Sequence, residues 1–189
     1  MQLNNISSTN FGAKYLKSLS VKRMNPQTAI YEKEKASLLE FDLTNQHDLI
    51  TLSRTSKYWA KEPFARPIVQ KAEFLSQGML DKNKNKIYIL TSQNDKFEKI
   101  HAKYILGLAS MSKQPKGKDE LDFFQINPNY KYGSNHREFK NIGEAMISEF
   151  QRMCKIIRLY SSTKATRFYE SHGFKLVDES MLEYIWRKK

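Results

Sequence analysis

Glu120 and Asp122 stand two residues apart at the start of an apolar run, ELDFFQI, and in a strand that spacing puts both carboxylates on one face. Either can take a proton from an amine, directly or through a water; either can also be an edge-of-sheet carboxylate paired with a lysine. Further on, KNIGEA (Lys140, Asn141, Ile142, Gly143, Glu144, Ala145) opens a helical stripe. There Gly143 permits close backbone approach, and the free amides of a helix start attract an anion. A glycine kept for packing is the structural alternative. Tyr169 is a phenol on a helix face with Ala165, Phe168 and His172, at i, i+3, i+4 and i+7. From periodicity alone Phe168 and Tyr169 are core aromatics. His136 would titrate near neutral pH as a solvated loop histidine, and His47, His101 and His172 show no metal-ligand spacing.

The elements that must hold these residues follow from pattern. Ile156, Ile157, Leu159 and Tyr160 favour a strand, Ser161 to Thr163 stop it, Ser162 or Thr163 caps the helix that follows, and Gly173 ends that helix. Upstream, the pattern predicts a strand at Ala36 to Leu43, helices from His47 to Ala60 and from Arg66 to Gln77, and a hairpin of strands at Lys86 to Thr91 and Lys103 to Met111. A strand over Leu121 to Ile126 stops at Pro128. Ile142, Ala145, Met146, Phe150 and Met153 form the next helical stripe, and a last strand lies near Leu182 to Trp186. Residues 1–34, polar except for Phe11, Tyr15, Leu16 and Leu19, read as an N-terminal extension, with the domain at 35–189. Strands that cluster and then alternate with helices predict an α/β (α+β) domain with a mixed sheet flanked by helices.

The chain has 189 residues, enough for one domain with its own core. Cys154 is the one cysteine, which excludes an intrachain disulfide framework; with Met153 and Ile156 beside it, a buried thiol in a reducing, cytoplasmic setting is the natural expectation. The N-terminus has no basic start with an apolar run, and no stretch approaches membrane-spanning length, so a soluble protein with no membrane partner is expected. A formal net charge of +12 attracts phosphates, whether of nucleic acid, a nucleotide or an acidic partner. The lysines are spread over loops with no arginine-rich tract.

The run IIRLYSSTKATRFYESHGFK, together with the strand and loop before it, resembles the GCN5-related N-acetyltransferases (GNAT). That family's last motif reads apolar strand, Ser-Ser or similar, x-x-Ala-x-x-Phe-Tyr-x-x-x-Gly-Phe. Its fourth strand often reads Glu-Leu-x-x-x-x-Val-x-Pro, matched by Glu120 to Pro128, and leads to an Arg/Gln-x-x-Gly-x-Gly/Ala loop, matched by Lys140 to Ala145. The resemblance covers roughly Ala36 to the C-terminus and is strongest from Glu120. Two departures stand out: lysine replaces the usual Arg or Gln at Lys140, and Tyr132 to Phe139 looks inserted.

The resemblance implies a GNAT-like fold and transfer of an acetyl group from acetyl-CoA to an amine by direct attack in a ternary complex, without a metal. Tyr169 would be the general acid to the CoA sulfur, and Glu120 or Asp122 the base. Strands at Gln125 to Asn127 and Ile156 to Tyr160 would splay, so that backbone groups of Phe124, Gln125 and Ile126 pair with the pantetheine arm. Lys140 to Ala145 would hold the pyrophosphate, with Lys164 and Phe168 also beside the cofactor. The acceptor is open among a small molecule, a protein, a tRNA or a ribosome, and a homodimer is compatible. The rival reading is a non-catalytic module of the same fold whose basic surface engages nucleic acid or an acidic partner.

Overall fold

The computed structural model describes residues 12–59, 65–131 and 137–188. Nine strands form one sheet in the order β6-β1-β2-β3-β4-β5-β7-β9-β8. They are β1 (Lys14–Met24), β2 (Tyr31–Glu40), β3 (Asn85–Thr91), β4 (Ile105–Gln114), β5 (Lys118–Ile126), β6 (Phe139–Lys140), β7 (Ile156–Tyr160), β8 (Lys175–Asp178) and β9 (Glu183–Arg187). Every neighbouring pair is antiparallel except β5 and β7, which run parallel. The mixed sheet flanked by helices is the architecture expected from the pattern. No helix among the described residues is long and apolar enough to cross a membrane.

Helices α1 (Gln46–Tyr58) and α2 (Ala65–Ser76) cover one face, and α3 (Ile142–Met153) and α4 (Thr166–Ser171) the other. Their spacing explains why. α2 buries Ala65, Ile68, Ala72 and Leu75 against Ile87, Ile89, Ile105 and Leu108, and α3 buries Ile142, Met146, Ile147 and Phe150 against Leu38, Leu90, Ala109 and Leu121. Gly107 of β4 is required by close approach: a Cβ there would stand 2.5 Å from Met146 Sδ.

Several expectations are corrected. The division at 34/35 falls inside β2, and much of the expected extension is β1, which hydrogen-bonds to both β2 and β6. Leu19 and Val21 bury on the α3 side, whereas the other face of β1 stays polar, so the segment has too few apolar residues to read as a strand. Phe11 lies outside the described residues, as do 132–136 of the expected insertion, including His136. The end of that insertion is structural: Phe139, buried in β6, packs on Tyr130 at 5.2 Å between ring centroids. β8 was not foreseen because its Lys175, Leu176 and Val177 are exposed and it is held by backbone pairing to β9. Neither Ser162 nor Thr163 caps α4. Ala165 occupies that place without a side-chain bond, because Ser162 to Ala165 form a turn closed by the Ala165 amide on the Ser162 carbonyl. α1, by contrast, is capped by Asn45, whose side chain accepts from the amides of His47 and Asp48.

Asp48, in the first turn of α1, is only 1% exposed and accepts the Asp42 amide at 2.9 Å. Burial, with the nearby Asp42 charge, pushes its carboxyl up to about 7, against the pull of the Asp42 and Ala13 amides. The folded state therefore keeps a proton that the unfolded chain loses near 3.8, so stability falls as pH rises from about 4 to about 7 and then levels. The fall is on the order of 4 kcal/mol, at about 1.36 kcal/mol per pH unit. Asp48→Asn keeps an oxygen acceptor without the charge. It is expected to raise the urea midpoint at pH 8 and leave it nearly unchanged at pH 4; equal effects at both pH values would contradict this account.

Candidate functional site

β5 is the strand that shapes the site. On one side it pairs with β4 along its length, with one irregularity: Met111 faces Leu121 and Ser110 faces Phe123, so Asp122 is an extra residue, a β-bulge. On the other side its parallel pairing with β7 covers Asp119, Glu120 and Leu121 against Ile157, Arg158 and Leu159, and ends there. From Asp122 to Ile126, β5 has no strand on its β7 side among the described residues. The parting expected at Gln125 to Asn127 thus starts earlier, at the bulge.

Glu120 and Asp122 share the α2 face of the sheet as expected, but their settings differ. Asp122 accepts from Lys71 Nζ of α2 at 2.6 Å, from Ser112 Oγ at 2.8 Å and from Ser110 Oγ at 3.3 Å. Both members of the Lys71–Asp122 ion pair are largely buried. Asp122 is thereby an anchor that ties α2 to the bulge. No hydrogen bond to the Glu120 carboxylate is found among the described residues. Its pKa is raised, first by desolvation and then by the Asp122 charge, while Arg158 and Lys71 pull it down and Glu183 adds to the rise. Arg158 faces Glu120 across β7, is ion-paired with Glu183 at 2.8 Å and stacks on Tyr160 at 4.9 Å. Lys71, Ser110, Ser112, Arg158 and Glu183 were not singled out from sequence. Ser110 and Ser112 carried a signal, the same period-two spacing as Glu120 and Asp122 on the neighbouring strand.

On the opposite face, α3 begins beside the parted strands. Asn141 precedes it in the left-handed conformation (φ 62°, ψ 24°) and makes no side-chain cap bond. The first helical hydrogen bond runs from the Ala145 amide to the Asn141 carbonyl, so the Ile142, Gly143 and Glu144 amides lie outside the helical ladder. The Ile142 and Ala145 side chains pack into the core, which leaves backbone as what this turn can offer a ligand. Lys140 Nζ lies 3.6 Å from the centroid of the Tyr31 ring, a cation held by an aromatic at the foot of the helix.

Gly143, Phe124 and Phe168 come together. A Cβ on Gly143 would meet Phe168 Cζ at 3.1 Å, and the Phe168 and Phe124 rings stack at 6.3 Å. The packing role of the glycine is therefore real: it gives the Phe168 ring its place. Tyr169, 7% exposed, lies among Phe168 and Phe174 at ring separations of 5.3 and 5.6 Å. Burial pushes its phenol well above the ordinary tyrosine range, so it keeps its proton. Gln125 is buried with its amide on the Ile126 carbonyl at 3.0 Å. Lys164 is exposed in the turn before α4.

No protein-family model matches the sequence, and no curated protein matches it either. Solved structures do match. A protein of Desulfovibrio desulfuricans assigned to the GNAT family of acetyltransferases superposes with a TM-score of 0.55 at 13% identity, covering 80% of this chain and 98% of that one. The PaiA N-acetyltransferase of Thermoplasma acidophilum, in complex with coenzyme A, gives 0.51 at 16% identity, covering 82% and 98%. A GNAT-family acetyltransferase of Staphylococcus aureus Mu50 gives 0.52 at 13% identity, covering 82% and 99%. Each of these chains is matched over nearly its whole length, and the common ground is architecture: this chain has the fold of the GNAT acetyltransferases.

Proposed function

We propose that the protein is an acetyltransferase that moves an acetyl group from acetyl-CoA to an amine by direct attack in a ternary complex. The observation that carries the reading is the parting of β5 from β7 at Asp122, with the uncapped first turn of α3 on one face and Glu120 on the other. The residues present fit the donor. Amides of Ile142, Gly143 and Glu144 and the charge of Lys140 suit a pyrophosphate, and the unpaired β5 edge suits an arm that hydrogen-bonds like a strand. The coenzyme A complex of the Thermoplasma protein supports the choice of donor.

In this mechanism Glu120 takes a proton from the incoming ammonium, making the amine nucleophilic. Its raised pKa makes it a better proton acceptor than an ordinary glutamate. The amine nitrogen bonds to the thioester carbonyl carbon, the carbon–sulfur bond breaks, the sulfur leaves with the electron pair, and the second proton that the nitrogen sheds passes to the departing thiolate. Tyr169 donates a hydrogen bond to that sulfur as its charge develops. Cys154 takes no part: it is buried and its thiol is pushed up to about 12, so no thiolate is present to carry an acyl group. Calorimetric titration with acetyl-CoA tests the reading, with saturable binding expected; no heat at millimolar acetyl-CoA would refute it.

A further inference from the structure

Among the described residues, the sheet face that holds Glu120 is covered by α2 as far as β5, since α2 packs on β3, β4 and β5. Beyond it, β7, β9 and β8 present half-exposed to exposed side chains, with Tyr160 at 44% and Val177 at 54%. Strand register lays out a row across this face. Glu120 of β5 pairs with Arg158 of β7, Arg158 with Ile185 of β9, and Ile185 with Lys175 of β8. Paired residues share a face. With neighbouring strands about 4.8 Å apart, Glu120 and Lys175 are separated by about 14 Å.

Charge changes along this row. The inner end is acidic, with Glu120, Asp122 and Glu183 against Lys71 and Arg158, and both of those cations are ion-paired. At the outer end stand Lys175 and Arg187, and among the described residues no carboxylate pairs with either. They line a cavity of about 620 Å³ together with Val177, Ile185, Trp186 and Lys188. An amine bound as its ammonium is favoured at the inner end, and an anion at the outer one.

We propose that this open face is the acceptor platform, and that the acceptor is an amine whose far end, about 14 Å away, carries an anionic group held by Lys175 and Arg187. The proposal rests on the acetyltransferase reading only for the place of the amine. A carboxylate and a phosphate share the required chemistry; between the two ends lie Arg158, ion-paired with Glu183, and Ile185, and Val177 adds apolar surface beside Lys175.

Extended peptides with a free N-terminus test it, because four residues span about 14 Å. C-terminally labelled peptides with Glu, Gln or phosphoserine at position five would be titrated against the whole protein by fluorescence anisotropy at low salt. The Glu peptide is expected to bind about fivefold to tenfold more tightly than the Gln peptide. Lys175→Ala with Arg187→Ala should bind the two alike, and both positions are exposed, so folding is spared. Tighter binding of phosphoserine than Glu identifies phosphate as the source, and the reverse order a carboxylate. Equal affinity for Glu and Gln peptides, or a preference that survives the double substitution, overturns the proposal. Acetyl-CoA titration of the same preparation, read separately, tells a failure of the platform from a failure of the acetyltransferase reading.

Discussion

Glu120→Gln is expected to lower kcat/KM by about a hundred- to ten-thousandfold, the usual contribution of a positioned general base. The sign of the accompanying pH effect is fixed by the site. Desolvation and the Asp122 charge raise the Glu120 pKa, so activity is lost as pH falls through a value above the ordinary glutamate range, and the amide removes that limb of the profile. Arg158 opposes the rise, and Arg158→Met should therefore move the limb to higher pH. Asp122→Asn separates the two carboxylates, because it strips Lys71 of its partner inside a largely buried ion pair. Its main effect should be on stability, with the acidic limb moved down rather than abolished. A Glu120→Gln enzyme with the parental rate and the parental limb would remove Glu120 from the mechanism.

Tyr169→Phe should lower kcat by roughly ten- to a thousandfold while acetyl-CoA affinity changes little. The substitution deletes one hydroxyl from a ring already packed by Phe168 and Phe174, so the fold is spared and the readout is chemical. The raised pKa narrows the role of that hydroxyl. A phenol above its ordinary range is a weaker acid than a thiol at about 8.5, so complete transfer of its proton to a thiolate runs uphill. The stabilisation comes from a hydrogen bond to the developing charge. Donors with better leaving groups should therefore lose less on substitution than acetyl-CoA does, and an equal loss across such a series would point to a structural role for the phenol.

Local pattern carried much of the fold. The α3 stripe of Ile142, Met146 and Phe150, and the apolar runs of β3 and β4, are read over a few residues because each element buries one continuous set of side chains. β1 and β8 were missed for the opposite reason: their stability comes from backbone pairing with distant or edge partners while most of their side chains face water. In the site, the shared face of Glu120 and Asp122 was legible from a two-residue period. What separates them chemically was not. Lys71 reaches Asp122 across 51 residues of chain, and the bulge that frees β5 from β7 has no residue signature, since Asp122 is as ordinary in a regular strand as in a bulged one. Gly143 illustrates the limit of type alone, because the same glycine serves the Phe168 ring and the exposed turn of α3.

The one parallel junction of the sheet gives this protein an edge in its interior. Exposed strand edges at the margin of a sheet invite pairing with other chains, and here the outermost strands are short: four residues in β8, and two in β6, which pairs with Lys22 and Arg23 of β1. The unpaired edge from Asp122 to Ile126 instead lies inside the sheet, between β5 and β7, where a slender linear molecule can pair with it. On the proposed reading the acyl donor is a removable tenth strand, and sheet completion and catalytic readiness become the same event. Thermal stability would then report donor occupancy by mass action, without any movement of a domain or lid.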